Sequence, residues 1–241
     1  MKIIVRATAD AVAEEVHALL VAHLQSQPRT VLGLPTGATP LPIYARLVDS
    51  CRAGGVSWGA VTTFNLDEYI GLGEAHPASY AAYMRRELFD HIDCPPSQRH
   101  IPDGLAFDAD TESLAYEAAI AAAGGMDLML LGLGRNGHIG FNEPGSDFAS
   151  RTRPVDLTQS TLAANSTFFN LDEKQPSKAI SMGIGTILEA RRTIVVATGS
   201  AKAEAVQRSV QGAPTIEMPG SALQLASDVT FVLDQAAASL I

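Results

Sequence analysis

Apolar positions along the 241-residue chain fall into two patterns. Short, often β-branched runs, "KIIV", "TVLGL", "AVTTF", "MDLMLLGL", "RRTIVVAT" and "DVTFVL", are bounded by Gly, Pro or Asp, as buried parallel strands are. Between most of them apolar residues return at helical spacing, over residues 9–25 (Val12, Val16, Leu19, Leu20, His23), 39–52, 78–91, 111–123, 178–190 and 201–210. Strand and helix alternate throughout. The pattern predicts a single doubly wound α/β domain over 1–241, a mostly parallel sheet with helices on both faces. Residues 142–176 are the least regular, and there a lid, an insertion or an ordinary surface excursion is expected.

Composition narrows the partners. A formal charge of −9, with no cluster of Lys and Arg, argues against nucleic acid or an anionic membrane. Cys51 and Cys94 sit in no metal-like or CxxC spacing, and sparse thiols suit a reducing cytosol. The N-terminal apolar run is too short for a signal peptide, and no run approaches the roughly 18 residues of a membrane span. A cytoplasmic protein acting on a small molecule is expected.

In an open parallel sheet, ligands bind outside the carboxyl ends of the strands, and four such ends are unusual. "PTGATP" after "TVLGL" is a glycine-containing turn, with Thr39 placed as helix N-cap and Pro40 at the first helical position. Free N–H groups at such a helix start bind phosphate; a plain capped helix is the alternative. "NLDEY" puts Asp67 and Glu68 beside each other, and either is a competent proton acceptor if desolvated, or a helix cap if not. "GSAKAEAV" puts Lys202 in a first helical turn, where a cation opposes the helix dipole unless an anion joins it. "LGLGRNGHIGFNEP" carries Gly132, Gly134, Gly137 and Gly140 around Asn136, His138 and Glu143. A Glu near a His raises the imidazole pKa and orients the ring. All four follow predicted strands, which favours one shared cleft.

These four segments, in order and with similar spacing, resemble the signature segments of the glucosamine-6-phosphate deaminases. "HPASYAAYM", "SRTRPVDLT", "AANSTFF", "AISMGIGTIL" and the C-terminal "SALQLASDVTFVLDQAAASL" extend the resemblance over essentially the whole chain. It implies conversion of glucosamine 6-phosphate and water to fructose 6-phosphate and ammonium, with no metal or organic cofactor. It implies His138 as the acid that opens the sugar ring, held by Glu143 and Asn136, and Asp67 as the base that moves a proton from C2 to C1. The 6-phosphate would rest on the N–H groups of Thr36, Gly37, Ala38 and Thr39, neutralised by Lys202. A deaminase of another amino sugar phosphate, such as galactosamine 6-phosphate, is the nearest alternative. A phosphosugar-sensing regulator is the alternative of another class, although no basic helix-turn-helix pattern accompanies it.

Three departures from the family pattern stand out. Asn136 stands where several relatives carry Asp. Thr167 stands where the family usually has an Arg that helps to hold phosphate, which predicts a weakened clamp. Val155 and Asp156 follow "SRTR", where the allosterically activated members place basic and hydroxyl residues for a phosphosugar. A short, non-allosteric type is expected, as a monomer or small homo-oligomer.

Overall fold

Each of the six apolar runs becomes a strand of one sheet. The structure is a computed structural model and describes residues 1–159, 161, 162, 169 and 175–241. The main sheet contains β1 (Lys2–Arg6), β2 (Val31–Leu34), β3 (Thr62–Asn65), β5 (Arg99–His100), β6 (Leu128–Gly132), β9 (Arg192–Ala197) and β10 (Val229–Asp234). Their order is β1-β10-β9-β6-β2-β3-β5, and every pairing is parallel. A small antiparallel sheet, β4-β8-β7, is made by β4 (Asp67–Tyr69), β7 (Arg153–Asp156) and β8 (Lys178–Ser181).

The strands read as unbroken apolar runs because both faces of the main sheet are covered. Alternate residues enter opposite cores. Leu128, Leu130, Ile194 and Val196 meet α1 (Ala9–Ser26), α2 (Leu41–Arg52) and α3 (Tyr80–Glu87) on one face. Met129, Leu131, Val195 and Ala197 meet α4 (Ala109–Ala122), α5 (Ile184–Leu188), α6 (Ala203–Val210) and the 3-10 turn Pro219–Leu225 on the other. From the neighbours β2 and β6 the strand order runs outward in both directions, so a crevice opens between their carboxyl ends. Among the described residues no helix is long and apolar enough to cross a membrane.

Two helices differ from the periodicity. The helix expected over 178–190 is instead β8 followed by the short α5. The apolar positions of "AISMGI" alternate, as a strand requires, and Gly183 is extended at φ −75°, ψ 164° against the Ser150 carbonyl, where a Cβ would lie 2.1 Å from that oxygen. The helix expected from residue 39 begins at Leu41 with Pro40 as its N-cap and no side-chain cap. Thr39 belongs to the preceding turn instead.

The small sheet is tied to α4 through one carboxylate. Glu117 accepts from the Arg151 guanidinium, the Thr152 N–H and hydroxyl, and the Thr186 hydroxyl. Burial pushes the Glu117 carboxyl up, but these donors outweigh it and hold it below its ordinary value. Its stabilisation is therefore present above the ordinary carboxylate range and lost as pH falls through the depressed value. Glu117→Ala is expected to cost about 2 kcal/mol, some 4–8 °C in Tm at pH 7, with wild type and variant converging in melts below about pH 4.

Candidate active site

Two carbonyls of the turn after β2 are held by tyrosines from the neighbouring helices. Tyr44 from α2 donates its hydroxyl to the Pro35 carbonyl at 2.6 Å, and Tyr83 from α3 donates to the Gly37 carbonyl at 2.6 Å. Gly37 has φ +98°, which only glycine adopts without strain. Among the described residues no backbone hydrogen bond uses the N–H groups of Thr36, Gly37, Ala38 or Thr39. Four unused donors in one turn form a site for an anion.

Beyond β3, the chain turns through Leu66 into β4, and the two adjacent carboxylates part company. Glu68 reaches the start of α3 and accepts from the N–H groups of Tyr69 (2.8 Å), Tyr80 (3.0 Å) and Ala81 (2.8 Å). Burial raises its carboxyl to about 7, against the pull of those three donors. It is a buried cap. Asp67, 7% exposed, faces the crevice; burial first, then the neighbouring Glu68 charge, pushes its carboxyl up to about 8. A desolvated carboxyl with that affinity for a proton is suited to exchange one near neutral pH.

The glycine-rich loop after β6 carries the histidine. Gly134 N–H donates to the His138 carbonyl and Gly137 N–H to the Gly134 carbonyl, closing the loop on itself. The imidazole lies against Gly134, where a Cβ would come within 2.4 Å of Nδ1. Nδ1 is buried and 3.6 Å from Glu143 Oε2, an ion-pair distance slightly beyond hydrogen bonding, which leaves the other ring nitrogen for the crevice. Glu143 is itself fixed: Asn136 Nδ2 donates to Oε2 at 2.6 Å and the Thr161 hydroxyl to Oε1 at 2.8 Å. Burial would raise the Glu143 carboxyl, but His138, Thr161 and Asn136 together hold it down to about 2. Asn136 thus grips Glu143, and through Oδ1 the His138 backbone N–H at 3.2 Å, rather than the imidazole. The result is an ionised carboxylate behind a histidine, the arrangement that orients the ring and sets its tautomer.

After β9, Lys202 is the N-cap of α6, at the end of a 3-10 turn, Ser200–Lys202. Its Nζ donates to the Leu133 carbonyl at 2.6 Å, which folds the side chain toward the histidine loop. Burial, then the charge of Arg135, lowers the pKa of its ammonium.

These segments meet in one cavity of about 720 Å³. Thr36 to Thr39, Asp67, Asn136, His138 and Lys202 line it, with Glu143 behind His138. Thr167 lies outside the described residues. Tyr80, Arg135 and Thr161 also line the cavity and were not singled out from the sequence as site residues. Tyr80, whose hydroxyl donates to that of Tyr69 at 3.2 Å, has its ionisation opposed first by burial and then by the charge of Asp67. "HPASYAAYM" contains Tyr80, but nothing local to residue 161 announces its bond to a carboxylate 18 positions away. A second hollow, about 450 Å³, lies at the opposite ends of the strands. The charged residue on its wall, Asp93, is already bonded to Ser57 and the Trp58 N–H.

Comparison with known proteins gives a consistent answer. Residues 5–232 match the family model described as glucosamine-6-phosphate isomerases/6-phosphogluconolactonase. A glucosamine-6-phosphate deaminase of Rhodopirellula baltica is 54% identical over 222 residues, 92% of this chain and 88% of that protein. One from Hahella chejuensis is 50% identical over 239 residues, 99% of this chain and 91% of that protein. Among solved structures, a monomeric glucosamine-6-phosphate deaminase superposes with TM-score 0.96 at 42% identity, covering all of both chains. A 6-phosphogluconolactonase from Trypanosoma cruzi shares the fold, with TM-score 0.74 at 22% identity, covering 99% of this chain and 96% of that one.

Proposed function

The chain belongs to the glucosamine-6-phosphate isomerase/6-phosphogluconolactonase family, and on that premise we propose that it converts glucosamine 6-phosphate and water to fructose 6-phosphate and ammonium. The observation that carries the reading is the pairing, in one cavity, of a raised carboxyl at Asp67 with a carboxylate-backed histidine at 138, across from four free N–H groups. The 6-phosphate rests on the Thr36–Thr39 turn and Lys202. His138, its Nδ1 edge on Glu143, delivers a proton to the ring oxygen as the C1–O bond breaks. Asp67 then takes the C2 proton and returns it to C1. The enolamine becomes a ketiminium, water adds at C2, and ammonia leaves. The substrate ammonium at C2 also assists Asp67, since an adjacent cation favours the ionised carboxylate.

The direct test is ammonium release from glucosamine 6-phosphate by the purified chain, with galactosamine 6-phosphate in parallel. No release from the first would overturn the reading, and faster release from the second would reassign the substrate. We place the enzyme in the cytoplasm, because a dianionic sugar phosphate does not cross a bilayer unaided.

We further propose an unregulated enzyme, monomeric or a small homo-oligomer, supported by the similarity to a monomeric deaminase. Val155 and Asp156 lie in β7, and the Asp156 carboxylate, 83% exposed, pairs with Lys178 at 3.6 Å. A carboxylate there repels a phosphosugar activator, and a ligand without a site shifts no equilibrium. Substrate saturation is expected to be hyperbolic, with N-acetylglucosamine 6-phosphate at most competing. A sigmoidal curve that this ligand makes hyperbolic, with a hexamer in light scattering, would refute the proposal.

A further inference from the structure

Arg135 is the first of two exposed residues at the tip of the histidine loop, Asn136 being the other, and its position is not that of an ordinary surface arginine. It lines the cavity, yet among the described residues its guanidinium makes no ion pair or hydrogen bond. Other arginines of the chain are engaged: Arg6 with Glu15, Arg46 with Asp10, Arg151 with Glu117 and Arg191 with Asp127. The other cation on the cavity wall is Lys202, whose Nζ is anchored to the carbonyl of Leu133, two residues before Arg135. The guanidinium lies close enough to the Lys202 ammonium to disfavour its protonated form. The carboxylates on and behind the cavity wall do not compensate: Glu143 is held by Asn136 and Thr161 behind His138, and Asp67 holds its proton to about 8. Two like charges thus face, across the same cavity, a turn with four unused N–H donors. Such an arrangement is unfavourable when empty and favourable around a dianion.

We propose that Arg135 is a second cationic ligand of the substrate's phosphate, closing with Lys202 around a group cradled by the Thr36–Thr39 turn. The inference rests on the phosphosugar reading above for the identity of the substrate. Because Arg135 is exposed, with its charge carried on a flexible side chain, its variants keep the fold intact.

Arg135→Ala and Arg135→Lys are compared with wild type in three measurements. For glucosamine 6-phosphate, Arg135→Ala is expected to raise KM by about tenfold or more with kcat within about threefold, and Arg135→Lys to recover part of the loss. Competitive inhibition by inorganic phosphate should weaken in parallel. Calorimetric binding of fructose 6-phosphate, which needs no turnover, should weaken by a similar factor. Unchanged KM and unchanged binding of both anions in Arg135→Ala would overturn the proposal. So would a fall in kcat at constant KM, which would assign Arg135 to the histidine loop's geometry. If wild type releases no ammonium, the assigned reaction fails on its own, while the calorimetric binding of fructose 6-phosphate still decides whether Arg135 holds phosphate.

Discussion

Asp67→Asn is expected to cut turnover about 10³-fold and to make the protein more stable. If Asp67 carries the C2 proton, its loss costs about 10³-fold in kcat, and exchange of that proton with solvent deuterium stops with it. Exchange at the wild-type rate in the variant would remove Asp67 from that role. The stability change follows from the same burial. The folded state holds Asp67 protonated up to about 8, far above the ordinary carboxylate range, so wild type loses stability as pH rises between those two values. Asparagine has no charge to bury. The gain should be near zero at pH 3, grow through the neutral range and level off above about pH 8, where roughly 1–3 kcal/mol corresponds to some 3–9 °C in Tm. Thermal melts from pH 4 to 9 test it, and a variant less stable than wild type at pH 8 would contradict the assigned burial cost. In the wild type, kcat/KM should climb with pH toward about 8, because it reports the free enzyme. The profile of kcat should be flatter on that side, since the bound ammonium lowers the base's pKa.

The second large effect concerns His138 and the glycine beneath it. His138→Gln is expected to slow turnover about 10²–10⁴-fold on the closed sugar and far less on a substrate already open. Equal losses on both would show that ring opening is not its main step. Gly134→Ala probes the same proton transfer without touching the histidine. Gly134 does not have a positive φ, so an alanine is tolerated by the backbone; what it meets is the imidazole, 2.4 Å from the added carbon. The ring must move, and displacement of about 1 Å costs roughly 10²-fold. The loss should appear in kcat and should again shrink on the open-chain substrate, which distinguishes a displaced acid from a collapsed loop.

The main sheet was legible because its inner strands are buried on both faces, leaving apolar runs that turn residues bound, while the edge strand β1 is still apolar although Ile3 and Val5 are exposed. The small sheet was not, for opposite reasons in its three strands. "DEY" in β4 is short and polar, "RPVD" in β7 is half exposed and contains a proline, and "KAIS" in β8 continues into apolar positions that mimic a helix. Their pairing is set by tertiary contact rather than by local preference. At the site, chemistry-bearing types after strands were visible, so Asp67, His138 and Lys202, which the fold brings to one cavity, and Glu143 beside His138, could be proposed from the sequence. The division of labour between Asp67 and Glu68 was not, because both stand in "NLDEY" and only the approach of α3, with its N–H groups at Tyr80 and Ala81, makes one of them a cap. Thr39 was misread for a similar reason: the turn that its loop completes delays the helix to Leu41.

The cavity draws its walls from the ends of β3, β2, β6 and β9, which stand side by side in the sheet although their residues are spread from Thr36 to Lys202. A growing polypeptide therefore cannot assemble the anion cradle, the base and the histidine loop around Lys202 until most of the chain has left the ribosome. Metabolite binding has no purchase on earlier nascent forms, and a pool of phosphosugar can protect only the finished molecule from proteolysis and aggregation.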